Sequence, residues 1–312
     1  MNAPVAQGLI ERPASPFDLD DDAAYRRWRS WKLGSHPKGI EGLIVDVADP
    51  RVLSDSECAA LRDRIARANF AVYRSRVRDA DPNLARALGA RLGLTRLDAN
   101  WLADEDGISR VEVSAKSDGR GGFIPYTNLP IGWHTDGYYH PPQRRIEAMI
   151  LHCVRPARQG GVNSLLDHEM AYIALRDAGK HHVRALMQPD AFVIPARTEE
   201  DGVAREAQAG PVFSVDATRG SLHLRYTARQ RSIEWKRDAA TRAARLCLEG
   251  VLACASPWIF RVQLQAGMGI VGHNILHERT GFDDDPQQPR LLYRARYLDR
   301  VELPEPAAWR NG

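Results

Sequence analysis

The stretch Gly132-Trp133-His134-Thr135-Asp136-Gly137-Tyr138-Tyr139 sets a histidine and a carboxylate two positions apart on a segment that reads as extended. Side chains at i and i+2 of a strand point the same way, so the imidazole of His134 and the carboxylate of Asp136 can reach one ion. Two histidines and one carboxylate on one face of Fe(II) leave positions open for substrates and O₂. The pair offers two of those three ligands. Taken alone, His-x-Asp is more often a surface turn or a helix cap, so the weight falls on the rest of the chain.

Three other blocks carry that weight. Gly272-His273-Asn274-Ile275-Leu276-His277-Glu278-Arg279-Thr280-Gly281-Phe282 places further histidines in a strand-like run. A turn rich in Asp, Pro and Gln follows, and Pro289-Arg290-Leu291-Leu292-Tyr293-Arg294-Ala295-Arg296-Tyr297 alternates as a strand that opens on an arginine. After the first block come Pro141-Pro142, an apolar run and Gly160-Gly161-Val162-Asn163-Ser164. With Trp-His-Thr-Asp early, Leu-His-x-Arg late and Arg-Leu-Leu-x-Arg beyond it, the chain resembles the taurine dioxygenase-like (TauD/TfdA) branch of the Fe(II)/2-oxoglutarate-dependent oxygenases. The resemblance runs from Gly132 to Tyr297 and is specific only when the blocks are taken jointly.

That resemblance implies a site. His134, Asp136 and His277 would bind Fe(II), 2-oxoglutarate would chelate through its keto oxygen and C1 carboxylate, and O₂ would take the last position. His273 shares the strand parity of His277, but the Leu-His-x-Arg context and the spacing to Arg290 favour His277. Arg290 takes the family's place for the distal carboxylate, which a planar guanidinium matches with two parallel hydrogen bonds. Asn163 takes the place of a second contact, where the family often has Thr. Succinate and CO₂ would be the by-products, and the intact Asp136 points to hydroxylation or a related oxidation rather than halogenation. Arg294, at the same parity as Arg290, is read equally as a substrate-anion partner or as a structural ion pair. Tyr126, Asn128, Tyr138, Tyr139 and Arg225 are pocket candidates by proximity to the motifs. The implied substrate is a small anionic or zwitterionic molecule. Two rival readings stay open: a cupin-like oxygenase that does not use 2-oxoglutarate, and a non-catalytic barrel serving as a binding module.

Composition bounds these readings. The chain of 312 residues carries 43 basic and 40 acidic side chains, a net charge of +3 too balanced to argue for nucleic acid. Hydrophobic content of 44% and charged content of 27% are those of an ordinary globular protein. Cys58, Cys153, Cys247 and Cys254 form no Cys-x-x-Cys pair, which argues against a disulfide framework or zinc ribbon. Cys247 and Cys254 read as small core residues of a helix. Met1 to Phe17 shows no basic region followed by an apolar core, and no apolar run approaches ~18 residues. A reducing cytoplasm is therefore the expected compartment, with no membrane partner, and a homo-oligomer is left open.

Along the chain, residues 1–35 read as an arm packed on the body through Tyr25, Trp28 and Trp31. Residues 36–312 read as one oxygenase domain. Ser54 to Glu57 is a capping box opening a helix, Ile44–Val47 and Phe70–Tyr73 are strands, and Pro82–Leu92 is a second amphipathic helix. Val111-Glu112-Val113 and Ile124-Pro125-Tyr126 are expected to flank a hairpin turn at Asp118–Gly122. Ile146–Val154 is a strand whose His152 lies in or near the core. Residues 167 to about 256 interrupt the strand pattern, with helices expected from Asp167 and over Ala239–Ala255; the resemblance makes this insertion the lid. Ile270–His277 is expected as one strand. Short strands, Gly/Pro turns and helices to one side predict an α+β fold with a mainly β core, a double-stranded β-helix of the jelly-roll or cupin type.

Overall fold

Strand alternation decides where each face of this molecule goes. In the computed structural model, which describes residues 15–98, 107–114, 122–199, 202–229 and 233–303, ten strands build two main sheets. They are β1 (Ile44–Asp46), β2 (Phe70–Arg74), β3 (Ser109–Val111), β4 (Ile131–His134), β5 (Ala148–Arg155), β6 (Asn163–Leu166), β7 (Ile259–Val262), β8 (Met268–His273), β9 (Leu276–Arg279) and β10 (Leu291–Tyr297). The larger sheet runs β1-β2-β8-β5-β10-β3 and the smaller runs β7-β6-β9-β4. Only β1 and β2 pair in parallel; the other contacts in these sheets are antiparallel.

Phe70 and Val72 of β2 pack inward with Leu165, Phe260, Ile275 and Leu292, a core shared by the two sheets. Ala71 and Tyr73, one step out of phase, face the other way and join Leu61, Ile65 and Leu88 from the helices α2 (Asp55–Ala68) and α3 (Asn83–Arg91). The period of two thus separates sandwich interior from helix-covered exterior. On β10 the same rule sends Tyr293, Ala295 and Tyr297 to the helix side with that second cluster and Leu292 to the interior. Arg294 and Arg296 share the parity of Leu292, so they too face the interior. Two arginines aimed into a sandwich core demand counter-charge, and that demand locates the site.

Helix α2 opens as the sequence predicts: Ser54 Oγ accepts from the amide of Glu57, and the Glu57 carboxylate accepts from the amide of Ser54 at 2.7 Å. Such reciprocal caps satisfy two otherwise orphaned donors. Helix α1 (Asp22–Ser35) lays Ala24, Tyr25 and Trp28 against α4 (His168–Ala178), where Phe17, Trp28 and Tyr172 meet edge to face. The insertion between β6 and β7 holds α4, α5 (Lys180–Leu186), α6 (Ala239–Ala253) and several short strands. Asp167 and Asp238 cap α4 and α6, as expected.

Four expectations need correction. Ile270–His277 is not one strand: the chain turns a corner at Asn274 and Ile275 and passes from the larger sheet to the smaller. The amide of Asn274 leaves the ladder to donate to Glu147 O. Ile124–Tyr126 is a 3₁₀ turn rather than a strand, because Pro125 has no N–H to give a ladder. The centre of the expected hairpin turn, Asp118 to Gly121, lies outside the described residues. Helix α5, with His181 and His182, was not expected in a stretch so polar. Cys254 is the exposed C-cap of α6 rather than a core residue, while Cys247 is half-buried.

Candidate metal centre and its arginine corner

The register of β4 against β9 puts His277 directly opposite His134, with ring centroids 4.2 Å apart. Asp136 lies just past the end of β4. One nitrogen from each imidazole and one Asp136 oxygen all lie within 4.8 Å of one another. Each Nδ1 is 3.0 Å from a backbone carbonyl, Gly132 O for His134 and Ile275 O for His277. A carbonyl only accepts, so Nδ1 carries the proton and Nε2 keeps its lone pair; such a carbonyl partner commonly orients a metal-binding histidine. Burial, then the neighbouring His277, pushes His134 down to about 3, so its imidazole is neutral at physiological pH. Burial pushes the Asp136 carboxyl up, but Arg294, Arg296 and the two imidazoles outweigh it and hold the group well below the usual carboxylate range.

Asp136 Oδ1 is 3.5 Å from Arg294 Nη1, whereas Oδ2 is buried with no hydrogen-bond partner among the described residues. A buried carboxylate oxygen without a donor is costly. Two imidazoles whose Nδ1 atoms face backbone carbonyls and one orphaned carboxylate oxygen fit a divalent cation and match the two-histidine, one-carboxylate donor set of non-haem iron. His273 is elsewhere: it ends β8 in the other sheet, buried, with Nδ1 2.7 Å from Asn69 Oδ1. His152 is a core residue, 2.8 Å from the Tyr73 hydroxyl.

The turn that carries Asp136 is held by a residue the sequence did not single out. Asn274 Oδ1 accepts from the Asp136 amide at 2.8 Å, and its Nδ2 donates to Asp136 O at 2.8 Å and Ile146 O at 3.0 Å. Gly137, at φ +64°, completes the turn; a Cβ there would stand 2.4 Å from Ile146.

Next to these strands lies a corner of arginines. Arg290 is buried and stacks over Phe282, and among the described residues its guanidinium has no acid in contact. Arg279 lies over the same ring and donates through Nη2 to Thr127 O at 3.0 Å, while its buried Nε has no hydrogen-bond partner among the described residues. Burial lowers Arg290 to about 10; burial and then Arg290 lower Arg279 to about 9. Asn163 sits opposite Arg279 across the β6–β9 ladder, and its buried Nδ2 likewise has no partner among the described residues. Arg279 was missed in the sequence, although it is the arginine of the Leu-His-x-Arg block.

The remaining candidates divide. Tyr139 accepts from Arg296 Nη1 at 3.0 Å, and Arg225 donates through Nε to Tyr138 O at 2.7 Å, so these three adjoin the His-x-Asp turn. Arg296 also binds the buried Asp98 at 2.7 Å, a carboxylate further contacted by Arg144 and His140. Tyr126 is fully buried within its turn, and Asn128 is exposed, offering its backbone carbonyl to Phe282. Their segment meets the arginine corner, where Thr127 O accepts from Arg279, rather than the His-x-Asp turn.

With this geometry in view, the likenesses to known proteins carry weight. The family described as taurine catabolism dioxygenase TauD, TfdA matches residues 33–296. A uridine-5'-phosphate dioxygenase from Streptomyces sp is 32% identical over 206 residues, 64% of this chain and 72% of that protein. Another of the same name, from Amycolatopsis sp, is 32% identical over 172 residues, 54% of this chain and 60% of that one. The solved structure of an asparagine oxygenase in complex with Fe(II), 2S,3S-3-hydroxyasparagine and succinate is alike in fold, with a TM-score of 0.54 at 14% identity over 89% of this chain and 92% of that chain.

Proposed function

The chain belongs to the TauD, TfdA family of dioxygenases, and on that premise we propose that it oxidises a small anionic molecule held beside His134, Asp136 and His277. The enzyme is an Fe(II)- and 2-oxoglutarate-dependent dioxygenase that oxidises a small molecule and releases succinate. His134, Asp136 and His277 would hold the iron, which when bound couples O₂ to the decarboxylation of 2-oxoglutarate and to the oxidation of a substrate C–H.

The chain's own groups supply binding and orientation. Arg290, with Arg279 and Asn163 beside it, would take the distal carboxylate of 2-oxoglutarate; their unmatched donors support this. A rigid fork aimed at a carboxylate fixes direction as well as position. Arg294 leans on Asp136 at 3.5 Å through Nη1, and its buried Nε has no hydrogen-bond partner among the described residues. It is thus able to steady the carboxylate ligand and to pair with an anion on the substrate. Tyr138 and Tyr139 would wall the pocket. The single observation that carries the reading is the convergence of three ligand atoms within 4.8 Å.

Two relatives are named for uridine 5'-phosphate, itself an anion, which supports the anionic class. We read residues 36–312 as one oxygenase domain and residues 1–35 as an arm packed on it. A reducing compartment suits the four free cysteines. The test is a screen for succinate release over phosphorylated, sulfonated and carboxylated candidates, run in air and anaerobically. Substrate-stimulated, O₂-dependent succinate from an anion is expected; stimulation only by neutral compounds would overturn the substrate class.

A further inference from the structure

Two guanidiniums of the insertion lack the counter-charge that their burial calls for. Arg205 ends the hairpin strand Gly202–Arg205, and Arg225 follows the strand Leu222–Leu224. Each is anchored by backbone carbonyls. Arg205 Nη2 donates to Pro195 O at 2.8 Å, and Arg225 donates through Nε to Tyr138 O and through Nη2 to Gln208 O, both at 2.7 Å. The remaining donors are unmatched: Arg205 Nε and Arg225 Nη1 are buried with no hydrogen-bond partner among the described residues. No carboxylate among the described residues is in ion-pair contact with either. Instead the neighbours are aromatic, with Arg205 over the Tyr139 ring at 5.4 Å and Arg225 over Phe192 at 4.3 Å. Burial pushes Arg225 down to about 10, and the nearby Arg205 adds to the effect.

The backbone makes room for this arrangement. A Cβ on residue 210 would stand 2.7 Å from Arg225 Nη1, so Gly210 clears the space that the guanidinium occupies. The two cations adjoin Tyr138 and Tyr139, which follow Asp136 by two and three residues in the chain.

We propose that Arg205 and Arg225 form a phosphate-monoester subsite on the insertion side of the substrate pocket, with Arg205 Nε and Arg225 Nη1 donating to phosphate oxygens. Charge selects the ligand. A phosphate monoester carries about −1.5 to −2 at pH 7, which matches two guanidiniums, whereas a carboxylate leaves one positive charge over. Guanidinium forks also fit phosphate oxygens in geometry. The subsite rests on the reading that Tyr138 and Tyr139 wall the substrate pocket.

The test uses the full chain loaded with Fe(II) and saturating 2-oxoglutarate under anaerobic conditions, so that the Arg290 corner is occupied. Inorganic phosphate is titrated and followed by ³¹P line broadening, with acetate in a parallel calorimetric titration. Phosphate should bind the wild type more tightly than acetate does. Its affinity should fall about tenfold in Arg205→Gln and in Arg225→Gln, the loss of a charged hydrogen bond. Gly210→Ala, which keeps both charges, should weaken phosphate in the same direction. Unchanged phosphate affinity in both glutamine variants, or acetate binding as tightly as phosphate, overturns the subsite. The affinity for 2-oxoglutarate, measured on the same samples, keeps the two claims apart. Its retention alongside lost phosphate binding supports the subsite, while its absence from the wild type would sink the cosubstrate reading.

Discussion

Lys32, Asp167 and Glu169 form one buried charged cluster; Asp136 at the metal centre and the Arg279–Arg290 corner beside it make the contrast. In the first, Lys32 Nζ lies 2.7 Å from Asp167 Oδ2 and 2.5 Å from Glu169 Oε2, and Asn69 donates to the remaining Asp167 oxygen at 2.8 Å. Burial alone would neutralise Lys32, but the two carboxylates hold its ammonium charged. At the metal centre and the corner, Asp136 Oδ2, Arg279 Nε and Asn163 Nδ2 are equally enclosed and have no hydrogen-bond partner among the described residues. Burial is common to both, so burial does not mark function. What separates them is pairing: Lys32 faces two carboxylates within 2.7 Å, whereas no acid among the described residues is in contact with the Arg279 and Arg290 guanidiniums, which on our reading take an anion as Asp136 takes a cation.

The sharpest way to break that contrast is Asp136→Ala. Activity should drop to background and bound iron, counted by elemental analysis, should fall to near zero while the apo chain keeps its melting temperature. A variant that still retains one iron per chain would remove Asp136 from the ligand set.

Acid should act next, and on the structural side. The buried His152, His168, His223 and His273 all titrate below the ordinary value of 6.5, chiefly through burial, with His152 near 4. The unfolded chain takes up these protons near pH 6.5 and the folded chain does not, so stability is full above that value and declines as pH falls toward 4. His152 alone costs about 1.4 kcal/mol per pH unit in that window. Urea midpoints of the metal-free chain that stay level from pH 7 to 5 would refute this.

Lys32→Met probes the complete cluster directly. It strands two buried carboxylates and should destabilise the chain by about 3–5 kcal/mol. The KM for 2-oxoglutarate should not move in the protein that remains folded. Arg290→Gln is the mirror case: KM for 2-oxoglutarate should rise on the order of a hundredfold, with denaturation unchanged or slightly improved, since an unmatched cation is gone. Equal KM in the variant and the parent would detach Arg290 from the cosubstrate.

Much of this architecture could be read from residue types. Phe70–Tyr73 and the alternation of Leu291–Tyr297 marked strands of the larger sheet, and His-x-Asp marked two neighbouring ligands, because both signals are local, although Asp136 stands in the turn past β4 rather than on the strand. The choice of His277 over His273 needed context, since parity alone treats them alike; the corner at Asn274 that divides them is tertiary. Arg279 was hidden because an arginine beside a histidine motif reads as solvated until the facing strand, with Asn163, is in place. Lys32 was equally opaque. A lysine in a polar helix gives no hint that two carboxylates from the start of another helix, more than a hundred residues on, will enclose it.

The rung beside β4 has a mechanical consequence. The Thr135 amide donates to Tyr226 O at 3.0 Å, the Ala228 amide to Trp133 O at 2.7 Å, and Thr227 bridges His134 across the edge. The segment that runs on from Arg225 is therefore stitched to the very strand that presents the first histidine. A molecule held at Arg225 would therefore be anchored to the same stretch of backbone that positions His134.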